Sequence, residues 1–162
     1  MKRIIVVGCP GSGKSTFSRE LHRVTGLPLY HLDMMYWNAD KTTVEKEVFR
    51  KRLVETVARD EWIIDGNYGS TMEMRIAACD TVIFLDYPTE LCLTGLYERQ
   101  GKARADMPWV EEGVDEKFIA FVKSYNAESR PAVLKLLEVY ADKTIYVFHN
   151  RSEADAFLQQ WK

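Results

Sequence analysis

Short apolar runs alternate along the chain with longer stretches in which apolar residues recur at helical spacing. The short runs predict strands at residues 3–7, 29–32, 61–65, 81–85 and 144–148. The longer stretches predict helices at about residues 15–24, 43–59, 70–78, 89–99, 114–125, 128–140 and 152–161. Strands that alternate with helices favour a parallel sheet covered on both faces. No repeat or interdomain linker interrupts the alternation, so we predict a single domain over residues 1–162.

The first predicted strand runs directly into a glycine-rich turn. Its sequence, Gly8-Cys9-Pro10-Gly11-Ser12-Gly13-Lys14-Ser15, fits G-x-x-x-x-G-K-[ST], the phosphate-binding P-loop, and it stands between a strand and a helix as that motif requires. Glycines let the backbone curl so that several N–H groups face an anion, and the helix N-terminus adds unpaired donors. The predicted nucleotide contacts here are Gly8, Pro10, Gly11, Ser12, Gly13, Lys14, Ser15 and Thr16.

Three residues of this motif have distinct expected roles. Lys14 should reach the β- and γ-phosphates of a nucleotide, and Ser15 should bind Mg²⁺. Thr16, in the first helical turn, is expected to donate to the α-phosphate.

The overall composition is that of an ordinary globular protein, with 46% hydrophobic and 28% charged residues. A net charge of −2 gives no general attraction to nucleic acid, which argues against a nucleic-acid partner. Cys9, Cys79 and Cys92 form no zinc-site spacing, and their odd number argues against a disulfide framework, so we predict reduced thiols and a cytoplasmic location. No apolar run approaches the roughly 20 residues that span a bilayer, so we predict no membrane partner.

Acidic residues stand at the ends of three predicted strands: Asp33, Asp65 and Asp86. Ligands of parallel sheets bind at the carboxyl ends of the strands, the edge that also carries the P-loop. Aspartate is common after a strand for its turn chemistry alone, and Asp86, before a Tyr-Pro turn, fits that structural role. Asp33 and Asp65 are therefore the candidate metal- and substrate-binding carboxylates.

Several segments together suggest a family. The P-loop, residues 32–37, residues 62–68, Arg75 and residues 80–86 occur in an order that resembles the adenylate-kinase-like P-loop proteins labelled "DNA topology modulation protein". The resemblance covers most of the chain, to about Arg130. It implies a three-layer P-loop NTPase fold with a five-stranded parallel sheet and helices on both faces. It also implies an acceptor-binding region at about residues 34–60 and a kinase-like lid at about residues 99–130.

The segment Trp62-Ile63-Ile64-Asp65-Gly66-Asn67-Tyr68 is similar to the D-G-[FY]-P-R segment of nucleoside monophosphate kinases. It departs from that pattern because Asn67 and Tyr68 replace the aromatic–proline pair and the arginine arrives later, at Arg75. The resemblance implies transfer of the γ-phosphoryl group of Mg-ATP to a small acceptor. A nucleoside monophosphate is favoured, and a small hydroxyl compound is the alternative. The acceptor contacts that it implies are Asp33, Tyr36, Trp37, Asp65, Gly66, Asn67, Tyr68 and Arg75.

The two strand-end carboxylates have different implied roles. Asp65 would hold Mg²⁺, through water, together with Ser15. Asp33 would either orient a water on the metal or accept a proton from a hydroxyl acceptor, and the second role applies only to an acceptor with a hydroxyl group.

Cations near the predicted lid are the remaining candidates. Arg99, Arg104 and Arg130 are implied catalytic residues that would close positive charge over the transferred phosphoryl group. For Arg99 and Arg104 the alternative is a solvated basic turn that stabilises a helix end. Arg75 is expected to grip the acceptor's anionic group, and the alternative is an arginine on the surface of a helix. Asn150 and Arg151 follow the last strand, where the resemblance implies contact with the adenine.

Two rival functions fit parts of the sequence. Asn150-Arg151-Ser152-Glu153 weakly mimics the N-K-x-D motif that reads guanine in GTPases, although no D-x-x-G follows the third strand. The other rival is an ATP-binding regulatory or DNA-associated protein without kinase turnover, for which the chain shows no basic stripe. The oligomeric state does not follow from the sequence.

Overall fold

The computed structural model describes residues 1–101, 107–109 and 116–162. Five parallel strands form one sheet in the order β2-β3-β1-β4-β5. The strands are β1 (Arg3–Gly8), β2 (Leu29–His31), β3 (Trp62–Asp65), β4 (Thr81–Leu85) and β5 (Thr144–Phe148). The predicted fold class, a five-stranded parallel sheet with helices on both faces, is confirmed.

The helices of the described ranges connect these strands and cover the sheet. They are α1 (Lys14–Thr25), α2 (Leu32–Tyr36), α3 (Lys46–Val57), α4 (Gly69–Ala78), α5 (Thr89–Glu98), α6 (Glu116–Glu128), α7 (Arg130–Val139) and α8 (Arg151–Gln159). Arg104, within the predicted lid, lies outside the described residues. No helix in the described part of the chain combines the length and apolar character needed to cross a membrane.

The central strand β1 divides the core into two halves. Ile4 and Val6 pack with the buried residues of α1, α5, α6 and α8, whereas Ile5 and Val7 pack with those of α2, α3, α4 and α7. All four side chains are fully buried, as expected for a parallel strand covered on both faces. The carboxyl end of β1, where the glycine-rich turn begins, therefore lies in the middle of the sheet edge.

The structure corrects the predicted second strand. The expected strand at residues 29–32 ends earlier, at His31, and Asp33 lies in the five-residue helix α2 rather than directly after a strand. Only residues 29–31 pair with β3. Asp33 is thus carried by a short helix that begins at the sheet edge.

The glycine-rich turn packs backbone to backbone against α5. A Cβ added to Gly95 would lie 2.2 Å from the Gly11 carbonyl oxygen, and one added to Gly11 would lie 2.0 Å from the Cys92 carbonyl oxygen. Real Cβ atoms essentially never approach other atoms this closely. Two glycines therefore set the spacing between the turn and α5, and the sequence analysis identified only one of them.

We expect the substitution Gly95→Ala to lower the free energy of unfolding by about 1–3 kcal/mol, the usual cost of overpacking. The added methyl group meets a backbone atom that cannot move without distorting the turn. Thermal and denaturant unfolding measure the effect. The matched control is Gly69→Ala in the first turn of α4, where an added Cβ meets no atom within 4 Å. Equal destabilisation by the two substitutions would contradict this account.

Candidate active site

A cleft of about 1160 Å³ opens at the carboxyl edge of the sheet. The glycine-rich turn forms its floor, and Asp33, Asp65 and Arg99 line its walls. The fold thus brings together the P-loop and both carboxylates selected from the sequence. Arg151 also lines the cleft, beside α5, with its guanidinium 3.8 Å from the Glu98 carboxylate.

The backbone of the turn has the shape of an anion site. Gly11 and Gly13 have φ values of 87° and 91°, in the left-handed region that favours glycine. The Ser12 N–H donates to the Cys9 carbonyl oxygen at 3.0 Å, which closes the turn. Helix α1 then begins at Lys14 with no side chain capping its N-terminus. The first N–H groups of α1 therefore remain available to a phosphate.

Lys14 reaches back over the turn, and its Nζ donates to the Cys9 carbonyl oxygen at 3.3 Å. Burial lowers the pKa of Lys14 below its ordinary value, and the charges of Asp65 and Asp33 offset part of that effect. A poorly hydrated ammonium group gains more from an anionic partner than an exposed one does. Lys14 is therefore suited to bind a phosphate oxygen in place of the carbonyl.

Arg19 is a cleft residue that the sequence analysis missed. Its Nη1 donates to Ser15 Oγ at 2.6 Å and its Nη2 to Thr16 Oγ1 at 3.3 Å. These are the two hydroxyl groups expected to bind Mg²⁺ and the α-phosphate. The signal in the sequence was the spacing, because residues three and four apart lie on one helix face.

Asp65 is buried at the end of β3, and its Oδ2 lies 2.8 Å from His31 Nδ1. The two residues are register partners across the β2–β3 pair, which the sequence could not reveal without the strand order. Within the described ranges, no group of three or more His, Cys, Asp or Glu side chains could hold a metal ion. A single carboxylate and the Ser15 hydroxyl fit Mg²⁺, which binds few protein ligands and takes the rest from phosphates and water.

Asp33 is bound by Tyr68, whose hydroxyl donates to Asp33 Oδ1. Burial, and then the charge of Asp33, raises the pKa of Tyr68 well above its ordinary value. Tyr68 has a positive φ of 35°, which is uncommon for an aromatic residue. Its ring packs against Tyr36 and Phe49 at centroid distances of 5.1 and 5.2 Å.

The two aromatic residues expected to contact the acceptor occupy different positions. Trp37 lines the cleft, and its ring makes an edge contact with Trp109 at a centroid distance of 5.2 Å. Tyr36 packs behind it, against Phe49 and Tyr68. Of the two, Trp37 lines the cleft, and Tyr36 packs against the aromatic residues beside it.

Arg75 does not occupy the predicted position. Its side chain is fully buried rather than facing the cleft. Its Nη1 donates to the Gly66 carbonyl oxygen at 3.0 Å, and its Nη2 donates to the carbonyl oxygens of Asn67 and Tyr68. The expected grip on an acceptor anion is therefore wrong for this arrangement, because the guanidinium holds backbone carbonyls instead.

Asn67 lines the cleft, but its side-chain amide is bound to the backbone of Gly8. Its Nδ2 donates to the Gly8 carbonyl oxygen at 2.7 Å, and its Oδ1 accepts from the Gly8 N–H at 3.2 Å. Both polar groups of the Asn67 amide thus bind the first residue of the P-loop. The expected acceptor contact is corrected to a contact with the phosphate loop.

The cations expected in the lid differ in their positions. Arg99, directly after α5, lines the cleft with its guanidinium 5.8 Å from the centre of the Phe118 ring. Arg130, at the start of α7, binds both carboxylate oxygens of Asp86 at 2.8 Å. A catalytic role for Arg130 would require it to leave Asp86. This ion pair also agrees with the structural role predicted for Asp86.

Asn150 is corrected as well. Its side chain accepts from the Glu153 N–H at 2.9 Å and caps α8. Its side-chain oxygen is therefore used by the helix, and Asn150 does not line the cleft.

Comparison with known proteins identifies the fold but not a family. No family model matches the chain, and no curated protein sequence matches it. Among solved structures, a shikimate kinase from Acinetobacter baumannii in complex with shikimate aligns with a TM-score of 0.65 at 19% identity, covering 99% of this chain and 90% of that one. A shikimate kinase from Bacteroides thetaiotaomicron gives 0.61 at 18% identity, with 98% and 95% covered.

A deoxyadenosine kinase from M. mycoides with bound dATP gives a TM-score of 0.54 at 16% identity, covering 97% of each chain. At these identities the likeness defines a fold, and the chain has the fold of P-loop kinases. None of these structures bears the name "DNA topology modulation protein", so that resemblance stays a prediction.

The raised pKa of Tyr68 predicts an absence of titration. Burial and the Asp33 charge favour the neutral phenol. Tyr68 should therefore stay protonated at about pH 10, the pH at which an ordinary tyrosine is half ionised. We therefore expect Tyr68→Phe to leave the tyrosinate absorbance that develops from about pH 9 to about pH 11 unchanged, with circular dichroism confirming that the protein stays folded. Tyr97→Phe, on an exposed side chain, is the control. Equal losses of absorbance from the two variants would contradict the prediction.

Proposed function

We propose that this protein transfers the γ-phosphoryl group of Mg-ATP to a small acceptor. The observation that carries the proposal is the glycine-rich turn with its uncapped α1 N-terminus and the half-buried Lys14, which lines one cleft together with two carboxylates, Asp33 and Asp65. Phosphoryl transfer needs positioned cations and N–H groups more than covalent chemistry. The likeness to shikimate kinase and deoxyadenosine kinase folds supports a kinase over other P-loop functions.

In this mechanism the turn and Lys14 hold the β- and γ-phosphates. The N–H groups of α1 and the Lys14 ammonium stabilise negative charge on the phosphate oxygens, in the way that preorganised donors stabilise a transition state. Ser15 would bind Mg²⁺ directly and Asp65 through water. When bound, Mg²⁺ supplies neutralisation of the charge on the β- and γ-phosphate oxygens. Arg99 adds a cation from the end of α5.

The charges that line the cleft favour a hydroxyl acceptor over a nucleoside monophosphate. On and next to α1, α5 and α8, six cations line the cleft and outnumber three carboxylates: Lys14, Arg19, Arg23, Arg99, Arg151 and Lys162 against Glu20, Glu98 and Asp155. By contrast, the wall from α2 and residues 65–68 carries Asp33 and Asp65 and, within the described ranges, no cation. A monophosphate bound there would meet like charge, because Arg75 is directed away from the cleft.

Asp33 is the base in this proposal. The acceptor oxygen forms a bond to the γ-phosphorus while the bond from that phosphorus to the β–γ bridging oxygen breaks, and ADP leaves. The hydroxyl proton passes to the Asp33 carboxylate. The hydrogen bond from Tyr68 orients that carboxylate.

The rival functions have less support. A guanine-reading Asn150 is disfavoured because its side chain caps α8. An ATP-dependent switch without turnover would use the same nucleotide site, and an acceptor assay distinguishes it from a kinase.

We expect Lys14→Ala to reduce phosphoryl transfer by at least about a hundredfold, as loss of one preorganised donor does. Transfer of labelled γ-phosphoryl from Mg-ATP measures the effect. The control is Lys123→Ala, which removes the same charge from an exposed position on α6. Full activity of the Lys14→Ala protein would refute the proposed site.

The acceptor is tested with a panel of hydroxyl compounds (sugars, hydroxy acids and nucleosides) beside nucleoside monophosphates. We expect transfer to a hydroxyl compound, and we expect Asp33→Asn to lower kcat about 10²–10⁴-fold, the usual contribution of a general base. Asp60→Asn, on an exposed carboxylate, is the control. Transfer to a monophosphate instead would keep the kinase and overturn the acceptor class. Binding of ATP with no transfer to any compound would favour the switch.

A further inference from the structure

The segment Gly66–Tyr68 joins β3 to α4 and is held from behind by one side chain. Arg75, on the second turn of α4, donates to all three carbonyl oxygens of the segment, and its Nε donates to Thr71 Oγ1 at 3.3 Å. A planar guanidinium with several fixed donors can hold successive carbonyls in this way, whereas a lysine ammonium cannot. Arg75 thus fixes the path of the backbone between β3 and α4.

Burying the charged guanidinium of Arg75 costs free energy. Arg75 is fully buried, and burial lowers its pKa to about 10. No carboxylate of the described residues lies within salt-bridge distance of Arg75, so its hydrogen bonds go to neutral oxygens. Such a charge is stable in the interior only while its hydrogen-bond partners stay in place, so the three carbonyl oxygens must keep their positions around the guanidinium. Its use here points to a requirement for one conformation of residues 66–68.

That conformation delivers the Asn67 amide to the phosphate loop. The β1–β3 pairing ends at Val6 and Asp65, followed by a bond from the Gly66 N–H to the Val6 carbonyl at 3.1 Å. Gly8, two residues further along β1, is bound by the Asn67 side chain at both its N–H and its carbonyl. The amide therefore continues the sheet's hydrogen bonding where the strands have separated.

Gly8 is also closely packed on the side that faces β4. There it pairs with Leu85 of β4, and an added Cβ would lie 2.7 Å from the Leu85 carbonyl oxygen. The entry to the phosphate loop is consequently held between β4 and the Asn67 amide. The orientation of the N–H groups in the rest of the turn depends on the position of Gly8.

We propose that Asn67 and Arg75 are positioning residues of the nucleotide site: Arg75 fixes residues 66–68 so that the Asn67 amide clamps Gly8 and preorganises the phosphate loop. This inference rests on the proposed function, because the loop it organises is the proposed ATP site. It also assigns to the nucleotide site two residues that sequence reasoning gave to the acceptor. Neither residue touches the reacting atoms.

The test uses the full chain with Asn67→Asp, Asn67→Ala and Arg75→Lys. Asn67→Asp is nearly isosteric and keeps an acceptor for the Gly8 N–H, but it sets a carboxylate oxygen against the Gly8 carbonyl. Calorimetry with Mg-ATP measures affinity, and hydrogen–deuterium exchange measures protection of residues 8–14. The controls are Asn38→Asp and Arg50→Lys, matched in charge change, on exposed side chains outside the cleft.

We expect each Asn67 variant and Arg75→Lys to bind Mg-ATP at least about tenfold more weakly, the consequence of leaving a buried polar group unpaired. Exchange in residues 8–14 should rise in the same variants, whereas exchange in β5 should stay near that of the controls. The midpoint of thermal unfolding of the Asn67 variants should also stay near that of the controls. A general structural role would raise exchange throughout the sheet.

Wild-type affinity together with unchanged exchange at residues 8–14 in the Asn67 variants would overturn the inference. If Arg75→Lys does not fold, the Asn67 variants still decide the role of the clamp. If the wild-type chain itself does not bind Mg-ATP, the proposed function fails. The exchange measurement, which needs no nucleotide, then still reports whether Asn67 orders the loop.

Discussion

The buried carboxylate of Asp65, at the end of β3, opposes the effect of burial on two cations of the site. Burial lowers the pKa of Lys14 in the phosphate loop and of Arg75 behind residues 66–68, and in each case Asp65 is the first charge that opposes the effect. Asp65 is itself buried and bound to His31. A buried cation is stable only near compensating charge or hydrogen bonds. Arg75 obtains its hydrogen bonds from the carbonyl oxygens of residues 66–68, and the charge of Asp65 adds to their effect. The same carboxylate thus acts on the lysine of the glycine-rich turn and on the arginine that holds residues 66–68.

The phosphate loop is held on both sides by contacts at backbone distance. On one side the Asn67 amide binds Gly8, and on the other Gly11 meets Gly95 of α5 with no room for a side chain. Close-packed contacts transmit displacement, since neither partner can yield without distortion. Helix α5 ends next to Arg99, which lines the cleft. A shift of the glycine-rich turn on nucleotide binding would therefore displace α5 and with it Arg99, at the start of the predicted lid.

Local signals made much of this protein predictable. The five strands and the P-loop follow from short apolar runs and from an eight-residue motif, because both are properties of contiguous sequence. Arg75 and Asn67 were assigned to the acceptor because their pattern resembled a segment with different spacing, whereas their actual partners are set by how far β3 runs beside β1. Gly95 and His31 carried no signal, since each matters only through a neighbour distant in sequence. Asp33 was identified correctly as a cleft residue, but its support by Tyr68 requires the left-handed turn at residue 68.

The charges that line the cleft determine where the triphosphate and the acceptor of the proposed reaction would bind. A triphosphate brings several negative charges, and on and next to α1, α5 and α8 the cations that line the cleft outnumber the carboxylates. The part of the cleft formed by α2 and residues 65–68 holds Asp33 and Asp65 and no cation of the described residues, so a second highly charged anion there would be repelled, while a hydroxyl group could donate to Asp33. Tyr68 donates a hydrogen bond to Asp33, and its ring packs against Tyr36 and Phe49, so the side chain that orients this carboxylate is itself held in place. A carboxylate held in one orientation at the cleft surface can come within hydrogen-bond reach of an acceptor hydroxyl, and that geometry is the first condition a general base must meet.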